Sequence, residues 1–174
     1  MTTVLFPGTF DPIHYGHINI ARRAADLFDE VIVAVYAREQ KNILFSPEER
    51  LGLVSETFKT VGNISVTAYT GLTIKFAKKT GAQSIVRGLR VFSDFEYEFR
   101  MALANNRLEP GIDVIAFITS EEHTFLSSTT VREIAALGGD VSSMVPPHVQ
   151  VALLNRFQVL GDDQEIVPLT SLRD

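Results

Sequence analysis

Residues 5–28 read LFPGTFDPIHYGHINIARRAADLF, and the order of residue types in this stretch decides the fold. An apolar run from Val4 to Phe6 meets Pro7-Gly8, a pair that punctuates a short strand. Asp11-Pro12 turns the chain again. Ile18, Ala21, Ala25 and Phe28 then recur at helical spacing, so a helix follows directly. His14 and His17 stand at the handover from strand to helix. There the free N–H groups and the dipole of the helix favour an anion, and an imidazole can donate a further hydrogen bond to it.

The same alternation repeats along the chain. Val31–Tyr36, Ile64–Tyr69, Ser84–Gly88 and Asp113–Thr119 read as strands, and VIVAVY is continuous enough to be buried on both faces. Helices are expected from Ser46, where SPEER supplies an N-cap, a first-turn proline and a capping box. Others are expected at about Leu72–Lys79, Asp94–Leu108, the TTVREIAALGG segment and Pro146 to about Phe157. Strands alternating with helices predict an α/β, Rossmann-like, five-stranded parallel sheet with helices on both faces. Its ligands belong at the carboxyl ends of the strands.

Composition narrows the class. The chain has 174 residues, 45% of them apolar, no cysteine, and 16 basic against 21 acidic residues. Thiolate metal sites and disulfides are excluded, a reducing cytoplasm is expected, and the acidic balance argues against nucleic acid as a partner. No apolar run approaches the roughly 20 residues of a membrane span, so no membrane partner is expected. The chain has four histidines and no cysteine, so structural zinc on His14 and His17 is disfavoured. GxxxxGK[ST] and GxGxxG phosphate loops are absent.

The groups expected at the sheet's carboxyl edge are Thr9, Phe10, Asp11, His14, His17, Arg38, Lys41, Thr73, Arg87, Gly88, Arg90 and the run from Ser120 through LSSTTVR. Converging Lys, Arg and His at the mouths of a parallel sheet suit several phosphates. His14 either caps and packs or touches a nucleotide. Glu98 is placed to accept a donor from a ligand. Lys75, Lys78 and Lys79 read as a solvated helix face, and most of the twelve phenylalanines as core.

With these residues collected, the chain resembles the bacterial phosphopantetheine adenylyltransferases, within the nucleotidyltransferase superfamily that carries an HxGH signature. His14–His17 and SSTxVR at Ser127–Arg132 carry the superfamily likeness; PGTFDP, FSPEER and RGLR…DFEYE carry the narrower one. The resemblance implies AMP transfer from ATP to 4′-phosphopantetheine, giving dephospho-coenzyme A and pyrophosphate by direct attack. It implies catalytic roles for His17, Lys41 and Arg90, and acceptor binding by Thr9, Lys41, Thr73 and Arg87. It implies ATP binding by Thr9, Phe10, His17, Gly88, Leu89, Arg90, Glu98, His123, Thr124, Phe125, Leu126, Ser127, Ser128 and Thr129. Mg²⁺ would ride on the ATP phosphates, with no metal ligands from the protein, and the assembly would be a homohexamer. The domain would occupy residues 1–158, followed by a polar tail at 159–174. Alternatives are a sister enzyme acting on nicotinamide mononucleotide and a non-catalytic nucleotide-binding regulator.

Overall fold

The five apolar runs become five parallel strands: β1 (Thr3–Gly8), β2 (Glu30–Tyr36), β3 (Ile64–Tyr69), β4 (Ser84–Leu89) and β5 (Asp113–Ile118). The computed structural model describes residues 1–38 and 42–161. Lys41 and the tail beyond residue 161 lie outside the described residues. The helices are α1 (Tyr15–Leu27), α2 (Pro47–Phe58), α3 (Thr73–Thr80), α4 (Phe92–Leu108), α5 (Ser128–Ala136) and α6 (Pro147–Leu160). A 3₁₀ turn at Glu121–His123 precedes α5.

The strand order is β3-β2-β1-β4-β5. Side-chain alternation explains how the sheet is covered. Val4, Phe6, Val31, Val33 and Val35 pack with Ile18, Ala21 and Ala24 of α1, Val54 and Phe58 of α2, Val131 of α5 and Leu153 of α6. Leu5, Ile32 and Ala34 face the other way, against Ile74 and Ala77 of α3. Both faces are covered by helices, as the alternating pattern predicts.

The order reverses between β1 and β4, and there the sheet splits. β1 pairs with β2 over all six of its residues, Thr3↔Glu30 to Gly8↔Val35. With β4 it pairs only at Val4↔Ser84 and Leu5↔Ile85. Pro7 lies beyond that split, where its missing N–H breaks no ladder. β1 therefore runs two residues past the expected end at Phe6.

Local chemistry sets the other element ends. Ser46 Oγ accepts the Glu49 N–H at 3.2 Å, and Glu49 accepts the Ser46 N–H at 2.8 Å, the capping box expected from SPEER. α4 begins at Phe92 rather than Asp94, because the Asp94 carboxylate turns back to accept the N–H groups of Arg90 (3.0 Å) and Val91 (3.3 Å). α6 continues to Leu160, three residues beyond the expected end.

Two surfaces carry more than the sequence pattern predicts. None of the residues of α4 is buried, and Phe92, Phe95, Phe99 and Leu103 stand exposed along it. The three phenylalanines of this helix are exceptions; most of the twelve are buried or packed against the core, as expected. Lys75, Lys78 and Lys79 are exposed, as expected; Lys75 and Lys78 also reach Glu109, at 3.0 and 2.7 Å, and strap α3 to the end of α4.

Removing the α2 cap should be felt without touching the sheet edge. Ser46→Ala is expected to cost about 1 kcal/mol. For a chain of this size that lowers the melting temperature by roughly 2–4 °C, measurable by thermal denaturation.

Candidate active site

Two clefts open where β1 and β4 part. One, of about 250 Å³, is lined by Thr9, Tyr36, Tyr69, Leu72, Thr73, Met101, Ala102 and Asn105 among others. The second, of about 60 Å³, is lined by His14, Gly16, His17, Gly88, Arg90, Asp94, Thr119 and His123 among others. Pro7, Gly8, Arg87, Tyr97 and Glu98 border both. The wall between the clefts is thus built on the split itself. Arg87 Nη1 donates to the Pro7 carbonyl at 2.9 Å, and Nε and Nη2 donate to the two oxygens of Glu98 at 2.9 and 2.7 Å.

The turn from β1 to α1 is shaped by rings. A Cβ on Gly8 would come within 2.8 Å of the Phe10 ring, which is fully buried beneath it with φ at 52°. Gly8 thus makes room for Phe10. A Cβ on Gly16 would come within 2.9 Å of the His14 ring, which explains the glycine between the two histidines. His14 is the N-cap of α1, and its Nδ1 accepts the Gly16 N–H at 3.1 Å. The His14 N–H in turn is accepted by His17 Nδ1 at 3.3 Å. The two imidazoles stack with centroids 3.7 Å apart, and Phe10 meets His17 edge-on at 5.0 Å.

This arrangement fixes the proton on His17. Its Nδ1 accepts, so in the neutral ring the hydrogen sits on Nε2. Burial, with Arg90 and Arg87 adding like charge, pushes the His17 pKa down from 6.5 to about 3. At neutral pH His17 is therefore an uncharged donor. Burial alone would lower the Arg87 pKa, but the hydrogen bonds and charge of Glu98 hold it above its ordinary value.

The other expected residues take distinct places. Arg90 Nε donates to Asp94 at 3.2 Å and its Nη1 donates to the Leu126 carbonyl at 2.9 Å. Leu126 itself is buried. Ser127 is the N-cap of α5, with Oγ accepting the Thr130 N–H. Ser128 is buried and donates to the Pro12 carbonyl at 2.8 Å. Thr129 Oγ1 accepts from Arg132 at 3.4 Å, and Thr124 donates to the Ser120 carbonyl. Phe125 is exposed, and Leu89 ends β4 with its carbonyl bonded to the Thr119 N–H. Thr73 Oγ1 and the Tyr69 hydroxyl are hydrogen-bonded at 2.8 Å in the larger cleft.

Several residues at the site escaped the sequence reading. Asp94 and Tyr97 sit with Glu98 on one face of α4, and the four-residue spacing of Asp94 and Glu98 was the available signal. Arg50 completes a polar set behind the turn with Asp11 and Arg132, both of which the sequence places at the sheet edge; only the burial of Arg50 reveals it, and burial is not visible in one sequence.

A parallel sheet that splits at its order reversal, with a neutral histidine and two arginines facing the gap, is an arrangement suited to substrates that carry phosphates. A family model described as cytidylyltransferase-like matches residues 5–134. A solved structure from Vibrio parahaemolyticus, described as a nicotinate-nucleotide adenylyltransferase, shares the fold with a TM-score of 0.66 at 22% identity. It covers 89% of this chain and 100% of its own. Curated phosphopantetheine adenylyltransferases match more closely in sequence. That of Caldanaerobacter subterraneus subsp. tengcongensis is 46% identical across 91% of this chain and 99% of its own. That of a Roseiflexus species is 48% identical across 90% and 98%, and that of Desulfitobacterium hafniense 42% across 94% and 100%. The chain belongs to the phosphopantetheine adenylyltransferase family.

The His17 proton assignment has a direct test. In the ligand-free protein, long-range proton–nitrogen NMR should show His17 neutral and protonated at Nε2 from pH 8 down to pH 5. Unfolded, this ring takes its proton near pH 6.5; folded, it does so near 3. The unfolded state binds more protons in that window, so the His17 contribution to stability falls as pH drops below 6.5 and is constant above it.

Proposed function

We propose that this protein transfers AMP from ATP to 4′-phosphopantetheine, releasing dephospho-coenzyme A and pyrophosphate. The observation that carries the reading is the pair of clefts sharing the Arg87–Glu98 wall, one for each substrate, with His17 beside the junction. The larger cleft, with aromatic and aliphatic walls and the Tyr69–Thr73 hydroxyl pair, suits the pantetheine arm. The smaller one, between His17, Arg90 and His123, suits the ATP phosphates.

The acceptor phosphate is anionic at neutral pH and needs no general base. Its oxygen attacks the α-phosphorus, a new P–O bond forms, and the bond to the β-phosphate oxygen breaks with pyrophosphate leaving. Catalysis is then alignment plus stabilisation of developing charge. His17 Nε2–H donates to an α-phosphate oxygen. Arg90 takes the leaving phosphates, with the segment His123–Thr129 enclosing the triphosphate. Thr9 lies between the substrates, Thr73 contacts the pantetheine arm, and Arg87 and Lys41 hold the acceptor phosphate. Gly88, Leu89 and Glu98 serve the nucleotide, and Phe10 positions His17 from beneath.

Mg²⁺ fits this donor set as a metal carried by the substrate. Asp94 and Glu98, the carboxylates beside the nucleotide cleft, are both held by arginines. Phosphate oxygens and water would hold the ion, and Mg²⁺ so bound would reduce the charge on the departing pyrophosphate. We also infer a homohexamer. The exposed row Phe92, Phe95, Phe99 and Leu103 is a contiguous apolar face of the kind that seats another copy; the number six comes from the family resemblance.

The deciding assay is pyrophosphate release from Mg-ATP with phosphopantetheine or nicotinamide mononucleotide offered in parallel. Release with phosphopantetheine alone is expected; release only with the mononucleotide would move the acceptor, and silence with both would leave a binding protein. In the same assay His17→Ala should lower kcat by roughly 10²–10³-fold while ATP affinity changes little. Phe95→Glu should shift the assembly to smaller species in light scattering coupled to gel filtration.

A further inference from the structure

Arg50 lies in α2, outside both clefts, yet its side chain is completely buried. Burying a guanidinium is costly unless its donors are satisfied; here Nε and Nη1 are bonded while Nη2 is buried without a hydrogen-bond partner among the described residues, and the partners of the bonded pair are informative. Nε donates to the Phe45 carbonyl at 3.1 Å. A single nitrogen, Nη1, donates to both the Thr9 and the Tyr36 carbonyls at 2.7 Å. Thr9 follows β1, and Tyr36 ends β2. Both line the larger cleft. One atom thus fixes the separation of the two chain segments that form one wall of that cleft.

A second buried charge continues the connection. The Asp11 carboxylate accepts the Leu44 N–H at 2.8 Å and the Phe45 N–H at 2.9 Å. It also pairs with Arg132 of α5 at 3.2 Å. The backbone of Leu44 and Phe45 is therefore gripped from two sides, by Arg50 and by Asp11.

We propose that Arg50 is a positioning residue for the acceptor side of the reaction: its guanidinium sets the Thr9–Tyr36 spacing and so the seat of the acceptor phosphate. Asp11 locks the same wall to the helix start that follows the nucleotide loop. This rests on the assignment of the larger cleft to phosphopantetheine. Lysine at position 50 keeps the charge and roughly the length, but its ammonium is a point donor. It cannot hold three carbonyls in the planar fan of a guanidinium.

The test compares Arg50→Lys with wild type, using folded protein verified by circular dichroism and thermal melting. Pyrophosphate release gives kcat and the KM for phosphopantetheine, and calorimetry gives the Kd for ATP. The expected result is a KM for phosphopantetheine raised at least tenfold with the ATP Kd within twofold of wild type. A merely structural arginine would lower the melting temperature and leave the constants of the folded fraction unchanged, and that outcome overturns the proposal. So would an equal weakening toward both substrates. Wild type run alongside separates the two readings, since its failure to turn over phosphopantetheine would sink the acceptor assignment itself. If Arg50→Lys does not fold, hydrogen exchange on the wild-type protein decides. The Leu44 and Phe45 amides should be protected further by phosphopantetheine and not by Mg-ATP alone; no protection, or the same protection from both, overturns the proposal.

Discussion

The structure turns on the place where β1 and β4 stop pairing. Two register pairs hold them together, and then the strands part. Helices lie on opposite faces of a parallel sheet on either side of such a reversal, so no helix covers the opening and a ligand can enter. Pro7 is compatible with this position because the ladder it would break has already ended. The Arg87 guanidinium bonds the Pro7 carbonyl in place of the missing strand partner. The same group then reaches across to Glu98 of α4. A local loss of backbone hydrogen bonding thereby becomes the floor and dividing wall of two clefts.

The turn above the split is rigid for reasons that glycine and burial supply. Gly8 admits the Phe10 ring, and Gly16 admits the His14 ring. His14 spends its acceptor on the helix cap, and its backbone N–H fixes the acceptor of His17. The remaining N–H of His17 is left as a donor of defined direction. Behind the turn, burial pushes the Asp11 carboxyl up from its ordinary value, against the pull of the Leu44 and Phe45 N–H groups and of Arg132. Ser128 bonds the Pro12 carbonyl from α5. The chain between β1 and α1 is thus tied to three other segments before any substrate arrives.

Much of this was legible in one dimension. Periodicity located all five strands, Ile64–Tyr69 to the residue, and SPEER announced its own cap. The residues that flank the clefts, His17, Arg87, Arg90, Thr9 and Thr73, were legible because each lies at or just beyond the carboxyl end of a strand. What escaped was of one kind: features made by partners distant in sequence. That Pro7 stays in a strand depends on where β4 diverges. That Glu98 holds Arg87 depends on how α4 folds back over β4. The start of α4 at Phe92 depends on a carboxylate turning to its own amides. The outward phenylalanines of α4 have ordinary core chemistry, and only the absence of a covering element among the described residues marks them as surface. Arg50 reads as one more charged residue of an amphipathic helix until its burial is known.

The pairing of Arg87 with Glu98 and of Arg90 with Asp94 bears on how such a site turns over. Its cations are already neutralised by carboxylates on a single helix. If these arginines take the substrate phosphates as proposed, a phosphate reaching them does not meet bare charge; it competes with an internal anion, as a solute does on an ion-exchange resin. The free energy of each capture is then a difference between two ion pairs rather than the whole of one. On the same reading, the carboxylates would re-form these pairs as the phosphate leaves, so such a site would trade tightness of grip for speed of exchange.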